Sequence, residues 1–245
     1  HGYKGFKDWG CWHLAARKFA ENGHTFIKFN FSHNGTTPQN PEAFDDLEAF
    51  GNNNFEKELF DLEQVIDWVY EAISDGKNLN LEALTLIGHS RGGGVCALKA
   101  GEDQRVKKLI TWAGVSDFAT RFPKGEKLEE WKTKGVAYIE NSRTKQLMPH
   151  YIQFYENFLV HADRFNIEKA ARKFGKPHLA LHGSADNVVN PAEAHRFAQW
   201  NPNCKALIID GADHVFGGKH PYESDTLPEH FEILTNESLL FLKSL

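Results

Sequence analysis

A chain of 245 residues, 41% hydrophobic and 25% charged, has room for one large α/β domain with or without an inserted cap, and enough apolar side chains for a substantial core. A net charge of −5 with scattered basic residues (Arg17, Lys18, Lys107, Lys108) argues against a nucleic-acid partner, and no apolar run approaches the roughly 18–20 residues that span a bilayer. The three cysteines, Cys11, Cys96 and Cys204, lack CxxC spacing, which argues against a zinc ribbon or disulfide framework and favours a reducing, cytoplasmic compartment.

In chain order, short apolar runs alternate with segments of helical period, the pattern of a mostly parallel sheet with crossover helices. HTFIKFNFS (His24–Ser32) is the first predicted strand, and Asn54–Ile73 an amphipathic helix. LEALTLIGHS ends in a second strand, and RGGGVCALKA opens a helix. Val106–Ser116 is the third strand, Lys176–Asp186 the fourth and Cys204–His214 the fifth. Pro191–Trp200 reads as a helix with proline at its first position, and Pro228–Leu245 as a closing helix. Phe118–Gly175 breaks the rhythm, being too long for an ordinary connection and carrying helical patterns of its own, such as MPHYIQFYENFLVHADRF. It reads as a helical cap, residues 119–175, inserted into a core of residues 1–118 and 176–245.

The stretch GHSRGGG (Gly88–Gly94) clusters four glycines around one serine at a strand end. Each glycine weakens regular structure by roughly 0.5–1 kcal/mol, so the cluster needs a steric or functional reason. A sharp strand-to-helix turn supplies one: it lifts the Ser90 hydroxyl above the sheet edge and requires small residues two before and two after, here Gly88 and Gly92. The following helix aims its free N–H groups at the same point. A nucleophilic serine needs a base, and the base an orienting carboxylate. Among thirteen histidines, His214 in DGADHVFGG lies at the end of the last predicted strand, where a loop above the sheet's carboxyl edge would bring it near Ser90. Asp186, at the end of the preceding strand, is preferred as the acid over Asp117 and Asp213 because position and chain order suit a serine, acid, histidine relay. His89, His178 and His182 read as structural.

HGYKGFKDWG, FNFSHNG, GHSRGG, HGSADNVVNP and GADHVF together resemble the α/β-hydrolase superfamily over nearly the whole chain. The opening motif and long insertion look closest to the dienelactone-hydrolase-like and feruloyl or cinnamoyl esterase groups, with Ser90 where dienelactone hydrolases carry cysteine. The resemblance implies an oxyanion hole from the backbone N–H groups of Tyr3 and Arg91. It also implies strands ahead of the HG motif, expected to lie outside this sequence.

The expected activity is hydrolysis of a small-molecule carboxylic ester through an acyl-enzyme on Ser90, without metal or organic cofactor. A peptidase or thioesterase of the same fold and a non-catalytic binding protein are the alternatives. Tyr151, Phe154, Tyr155 and Phe158, at i, i+3, i+4 and i+7, are expected to share one helical face that roofs the acyl pocket or packs the cap on the core. Trp131, Tyr138, Arg143 and Lys145 are weaker candidates for substrate contact. Oligomeric state is not legible in these residues.

Overall fold

The apolar run before the GHSRG turn forms β1 (Thr85–His89), and the residues after it form α4 (Arg91–Glu102). The computed structural model describes residues 1–74 and 79–243. β1 is the edge of a parallel sheet ordered β1–β2–β5–β6, completed by β2 (Lys108–Trp112), β5 (His178–Gly183) and β6 (Cys204–Ile209). The register pairs His89 with Trp112, Trp112 with Leu181, and Gly183 with Ile209, so the carboxyl ends of all four strands line one edge.

β2 and β5 are buried along their whole length, which is why their centres, Leu109–Ile110 and Leu179–Leu181, are apolar toward both faces and do not alternate with polar residues. Their side chains still alternate between two cores. Leu109 and Ala180 face α3 (Phe55–Ser74), α4 and α8 (Ala192–Trp200), whereas Ile110, Trp112, Leu179 and Leu181 face α1 (Trp12–Glu21) and α9 (Glu229–Lys243). The Trp112 indole N–H donates to Ser238 Oγ on α9 at 3.0 Å, which satisfies its one donor inside the second core. Pro191 is the residue immediately before α8, and residues 244 and 245 of the predicted closing helix lie outside the described residues.

Two expectations are corrected. His24–Ser32 forms no ladder, although it runs beside β1. A cavity of about 520 Å³, lined by Phe26, Phe29 and Phe31 on one side and Leu86 and Ile87 on the other, lies between them. Ladder bonds need backbones about 4.8 Å apart, so apolar composition alone does not make this segment a strand. The second correction concerns MPHYIQFYENFLVHADRF. Its start is β4 (Leu147–Tyr151), antiparallel to β3 (Val136–Glu140), and its helix, α6, covers only Gln153–Val160. Pro149 is tolerated because both strands of a two-stranded sheet are edges.

The remainder of the segment between β2 and β5 comprises α5 (Glu126–Lys134) and α7 (Ile167–Phe174). α7 packs closely on α4: a Cβ at Gly101 would come within 2.8 Å of the Ala170 Cα. The hairpin is anchored separately. Met148 is buried among Phe6, Phe44 and Phe50, a small apolar cluster that also takes in Tyr3 and Leu47, the latter from the short α2 (Leu47–Gly51). The loop holding Tyr3 and Phe6 is thereby packed against β4.

Candidate active site

The turn between β1 and α4 is held in a conformation that few residues with a Cβ adopt: Ser90 has φ 55° and ψ −123°. Surrounding backbone enforces it. Ser90 N–H donates to Trp112 O at 2.9 Å, and Ser90 O accepts from Gly93 N and Val115 N, each at 3.0 Å. The chain crosses itself so closely that a Cβ on Gly88 would lie 2.3 Å from Gly92 O, and one on Gly92 would lie 2.5 Å from His1 O. Glycine is therefore required at both positions for close approach, and the Ser90 side chain is left projecting at the carboxyl edge of the sheet.

The loops after β5 and β6 meet this serine. His214 Nε2 lies 3.0 Å from Ser90 Oγ, and its Nδ1 lies 2.8 Å from Asp186 Oδ2. With Nδ1 protonated, the bare Nε2 can accept the Ser90 proton. The other Asp186 oxygen accepts the backbone N–H groups of Val188 and Val189 at 2.8 and 2.9 Å. Burial alone would raise the Asp186 carboxyl; hydrogen bonds from His182 and His214, with that of Val189 N–H, outweigh it and hold the group well below the usual carboxylate range. It stays an anion behind the imidazole.

Two further histidines brace this line. His182 is completely buried, with Nε2 2.9 Å from Val189 O and 3.1 Å from Asp186 Oδ2. Its proton is therefore on Nε2, shared between carbonyl and carboxylate. His89 Nε2 donates to His214 O at 2.8 Å, fixing the loop that carries His214. Burial, and then the proximity of His214, lowers the His89 pKa to about 3, so it stays neutral beside that ring. The competing aspartates have other work: Asp213 Oδ1 accepts Val215 and Gly217 N–H, and Asp117 Oδ1 accepts Ala119 N–H, each closing a local turn.

Arg91 opens α4, where helix N–H groups have no intrahelical acceptor. The Tyr3 loop lies directly against the turn, since a Cβ on Gly2 would sit 3.0 Å from Ser90 Cβ. The Arg91 side chain turns away from the serine into a half-buried pocket. Its Nη2 and Nε lie 2.9 and 3.2 Å from the two oxygens of Glu58, and its Cζ lies 4.7 Å from the ring centroids of both Phe55 and Phe154.

The four aromatics expected on one helical face do not share one. Tyr151 belongs to β4 and its hydroxyl donates to Glu48 Oε2 at 2.5 Å. Phe154 reaches a small cavity with Tyr3, Arg91 and His150. Tyr155 packs on Phe122 and Trp131. Phe158 is buried against Phe122 and borders a separate cavity of about 960 Å³ that also touches Asp186, Phe118 and Trp200. Trp131 donates its indole N–H to His150 O at 2.8 Å, Tyr138 is exposed, Arg143 N–H donates to Asn141 Oδ1, and Lys145 pairs with Glu140.

Sequence reasoning missed Glu58 and His150. The Tyr3 hydroxyl lies 2.5 Å from His150 Nε2, and burial, with Arg91 and Lys4 nearby, lowers the His150 pKa to about 3. Neither residue stands in a motif, and only the fold brings them to the serine loop. Among the described residues, no group of three or more His, Cys, Asp or Glu side chains converges as a metal ion would require, and no helix is long and apolar enough to cross a membrane.

No family model and no curated protein matches the chain. Solved structures do match it. Est1E from Butyrivibrio proteoclasticus, in a structure with ferulic acid bound, is similar at 18% identity and a TM-score of 0.63, over 99% of this chain and 85% of that one. A monoacylglycerol lipase from Paleococcus ferrophilus is similar at 15% identity and a TM-score of 0.62, over 93% and 86%. The alpha/beta hydrolase domain-containing protein 10 from mouse is similar at 19% identity and a TM-score of 0.64, over 98% and 86%. Together with the parallel sheet, its crossover helices and the sharp turn after β1, these likenesses identify the architecture of this chain as the α/β-hydrolase fold.

Proposed function

We propose that this protein is a serine hydrolase that cleaves a carboxylic ester through an acyl-enzyme on Ser90. The observation that carries the reading is the relay from Ser90 Oγ to His214 Nε2 at 3.0 Å and from His214 Nδ1 to Asp186 at 2.8 Å, built on a strained serine backbone. His214 takes the Ser90 proton as Oγ attacks the ester carbonyl, then returns it to the leaving alcohol. Water repeats the sequence on the acyl-enzyme. Asp186, held anionic, keeps the His214 proton on Nδ1 and stabilises the imidazolium. The N–H groups of Arg91 and Tyr3 receive the developing oxyanion, and loss of one such donor costs about 3–4 kcal/mol of transition-state stabilisation.

An aromatic or medium acyl group would meet the cap, residues 119–175, whose Phe154 walls the space beside Tyr3 and Arg91; that space is only about 20 Å³, and the cavity of about 960 Å³ bordered by Asp186 and Phe158 is the one with room for such a group. Tyr151 and Tyr155 brace that wall through Glu48 and Phe122, and Phe158 borders the larger cavity beyond it. The bound ferulic acid of Est1E supports an aromatic acid on a comparable scaffold.

A fluorophosphonate probe tests the reading against a non-catalytic binding protein. Expected is one covalent label per chain, abolished in Ser90→Ala and His214→Ala, with turnover of p-nitrophenyl esters reduced by roughly three to six powers of ten. A Ser90→Ala protein that keeps a tenth of the activity would end the proposal.

A further inference from the structure

The loop that carries Tyr3 has little backbone support of its own: its internal bond runs from Gly5 N–H to Gly2 O at 3.1 Å, and Lys4 stands at φ 55°. Besides a bond from Asn34 Nδ2 to Gly5 O at 3.3 Å, it is held by side-chain contact with the hairpin β3–β4, more than 130 positions away in sequence. Phe6 is buried in the cluster that holds Met148 of β4, and Lys4 Nζ donates to Glu140 O of β3 at 3.3 Å. The shortest of these contacts joins the Tyr3 hydroxyl to His150 Nε2 at 2.5 Å.

His150 is itself rigidly placed. Its carbonyl accepts the Trp131 indole N–H at 2.8 Å, and its ring packs edge-on against Phe50. The neighbouring Gln153 donates to Asn53 O at 2.9 Å, tying the start of α6 to the residues before α3. We propose that His150 is a positioning residue for the oxyanion site: through the Tyr3 hydroxyl it sets where the Tyr3 backbone N–H points, so that the hairpin, not the sheet, aligns half of that site.

Burial, Arg91 and Lys4 keep the imidazole neutral, and burial raises the Tyr3 phenol, so neither partner ionises near neutral pH. A single hydrogen bond therefore joins the phenol oxygen to Nε2, with the donor set by the ring's tautomer, and its length and direction are both restricted. An oxyanion donor acts only if it is held on the developing charge, and displacement by about 1 Å can cost a hundredfold in rate. This inference rests on the serine-hydrolase reading and adds a residue that never touches substrate.

The test uses p-nitrophenyl acetate, too small to depend on the acyl wall, with kcat and KM measured separately in the full chain. Expected for Tyr3→Phe and for His150→Leu is a kcat lower by about tenfold to a hundredfold with KM within about threefold. The double variant should be no slower than the worse single one, since both remove the same bond. His150→Gln should recover part of the loss because its amide can accept from or donate to the phenol oxygen, and Ser142→Ala, at the exposed turn of the same hairpin, should match the unsubstituted protein. Unchanged kcat in Tyr3→Phe, which removes one oxygen and little packing, would overturn the proposal even if His150→Leu failed to fold. So would losses that multiply in the double variant. Fluorophosphonate labelling separates the two levels: slow but stoichiometric labelling of the variants is expected, whereas an unlabelled parent protein would overturn the serine-hydrolase reading itself.

Discussion

Asp186 has every lone pair directed at a donor: two backbone N–H groups on one oxygen, two histidine nitrogens on the other. Such a carboxylate is hard to protonate and hard to move, as the proposed mechanism requires of a group that faces an imidazolium without taking its proton. Replacement by asparagine keeps the shape and removes the charge. The amide would turn an N–H toward His214 or leave it in the wrong tautomer, so Asp186→Asn is expected to lower kcat by roughly ten-thousandfold with the fold retained, as seen by kinetics and circular dichroism on the same sample. A loss under tenfold would assign the charge no catalytic part. Ser90, Asp186 and His214 were legible in the sequence because each stands at the end of a predicted strand, and strand ends of a parallel sheet converge on one edge. His150 was not legible, because its partner lies 147 residues away and one histidine in an apolar stretch has no period.

At the scale of elements, the hairpin β3–β4 defeated the reading by helical period. Tyr151, Phe154, Tyr155 and Phe158 fall on helical spacing, yet Tyr151 is paired with Val136 across the hairpin and the helix starts only at Gln153. Strand pairing is a contact with another segment, and spacing within one segment does not report it. The opposite error occurred at His24–Ser32, whose composition suits a strand but whose backbone has no ladder partner. Packing of α7 on α4 was likewise hidden, since glycine in RGGGVCALKAG weakens a helix unless something must come close. At Gly101 the neighbour is α7 backbone, 2.8 Å from where a Cβ would stand. In Gly101→Ala the gain in helix propensity, about 1 kcal/mol, is smaller than the cost of displacing α7, and a net loss of roughly 1–2 kcal/mol is expected. This would appear as a melting temperature lower by about 2–8 °C with kcat within twofold of the parent. A higher melting temperature would mean that α7 yields freely.

For the molecule as a whole, three histidines buried neutral make stability depend on pH. Burial lowers the pKa values of His89, His150 and His178 to about 3, with His214 contributing at His89 and Arg91 and Lys4 at His150. In the unfolded chain each would titrate near 6.5. Between those values the unfolded state binds more protons, so stability is full above about pH 7 and is lost as pH falls from about 6.5 toward 3. Near pH 5 the slope approaches three protons, roughly 4 kcal/mol per pH unit, and below about pH 4 the depressed Asp186 carboxyl adds to it with the same sign. Urea unfolding at pH 7, 6 and 5 should show this fall, and His178→Gln should reduce the slope by about one proton. Equal stability at pH 7 and 5 would mean that these rings are protonated without cost. The sequence by itself determined the parallel strands, the sharp serine turn and the order of serine, acid and histidine, because each is written in local composition and in which residues follow a strand. Only the tertiary structure decided which segments pair, which aromatics pack beside Tyr3 and Arg91, and that a hairpin histidine grips the Tyr3 loop. Those contacts form between residues far apart in the chain, where neither period nor propensity carries information about distance.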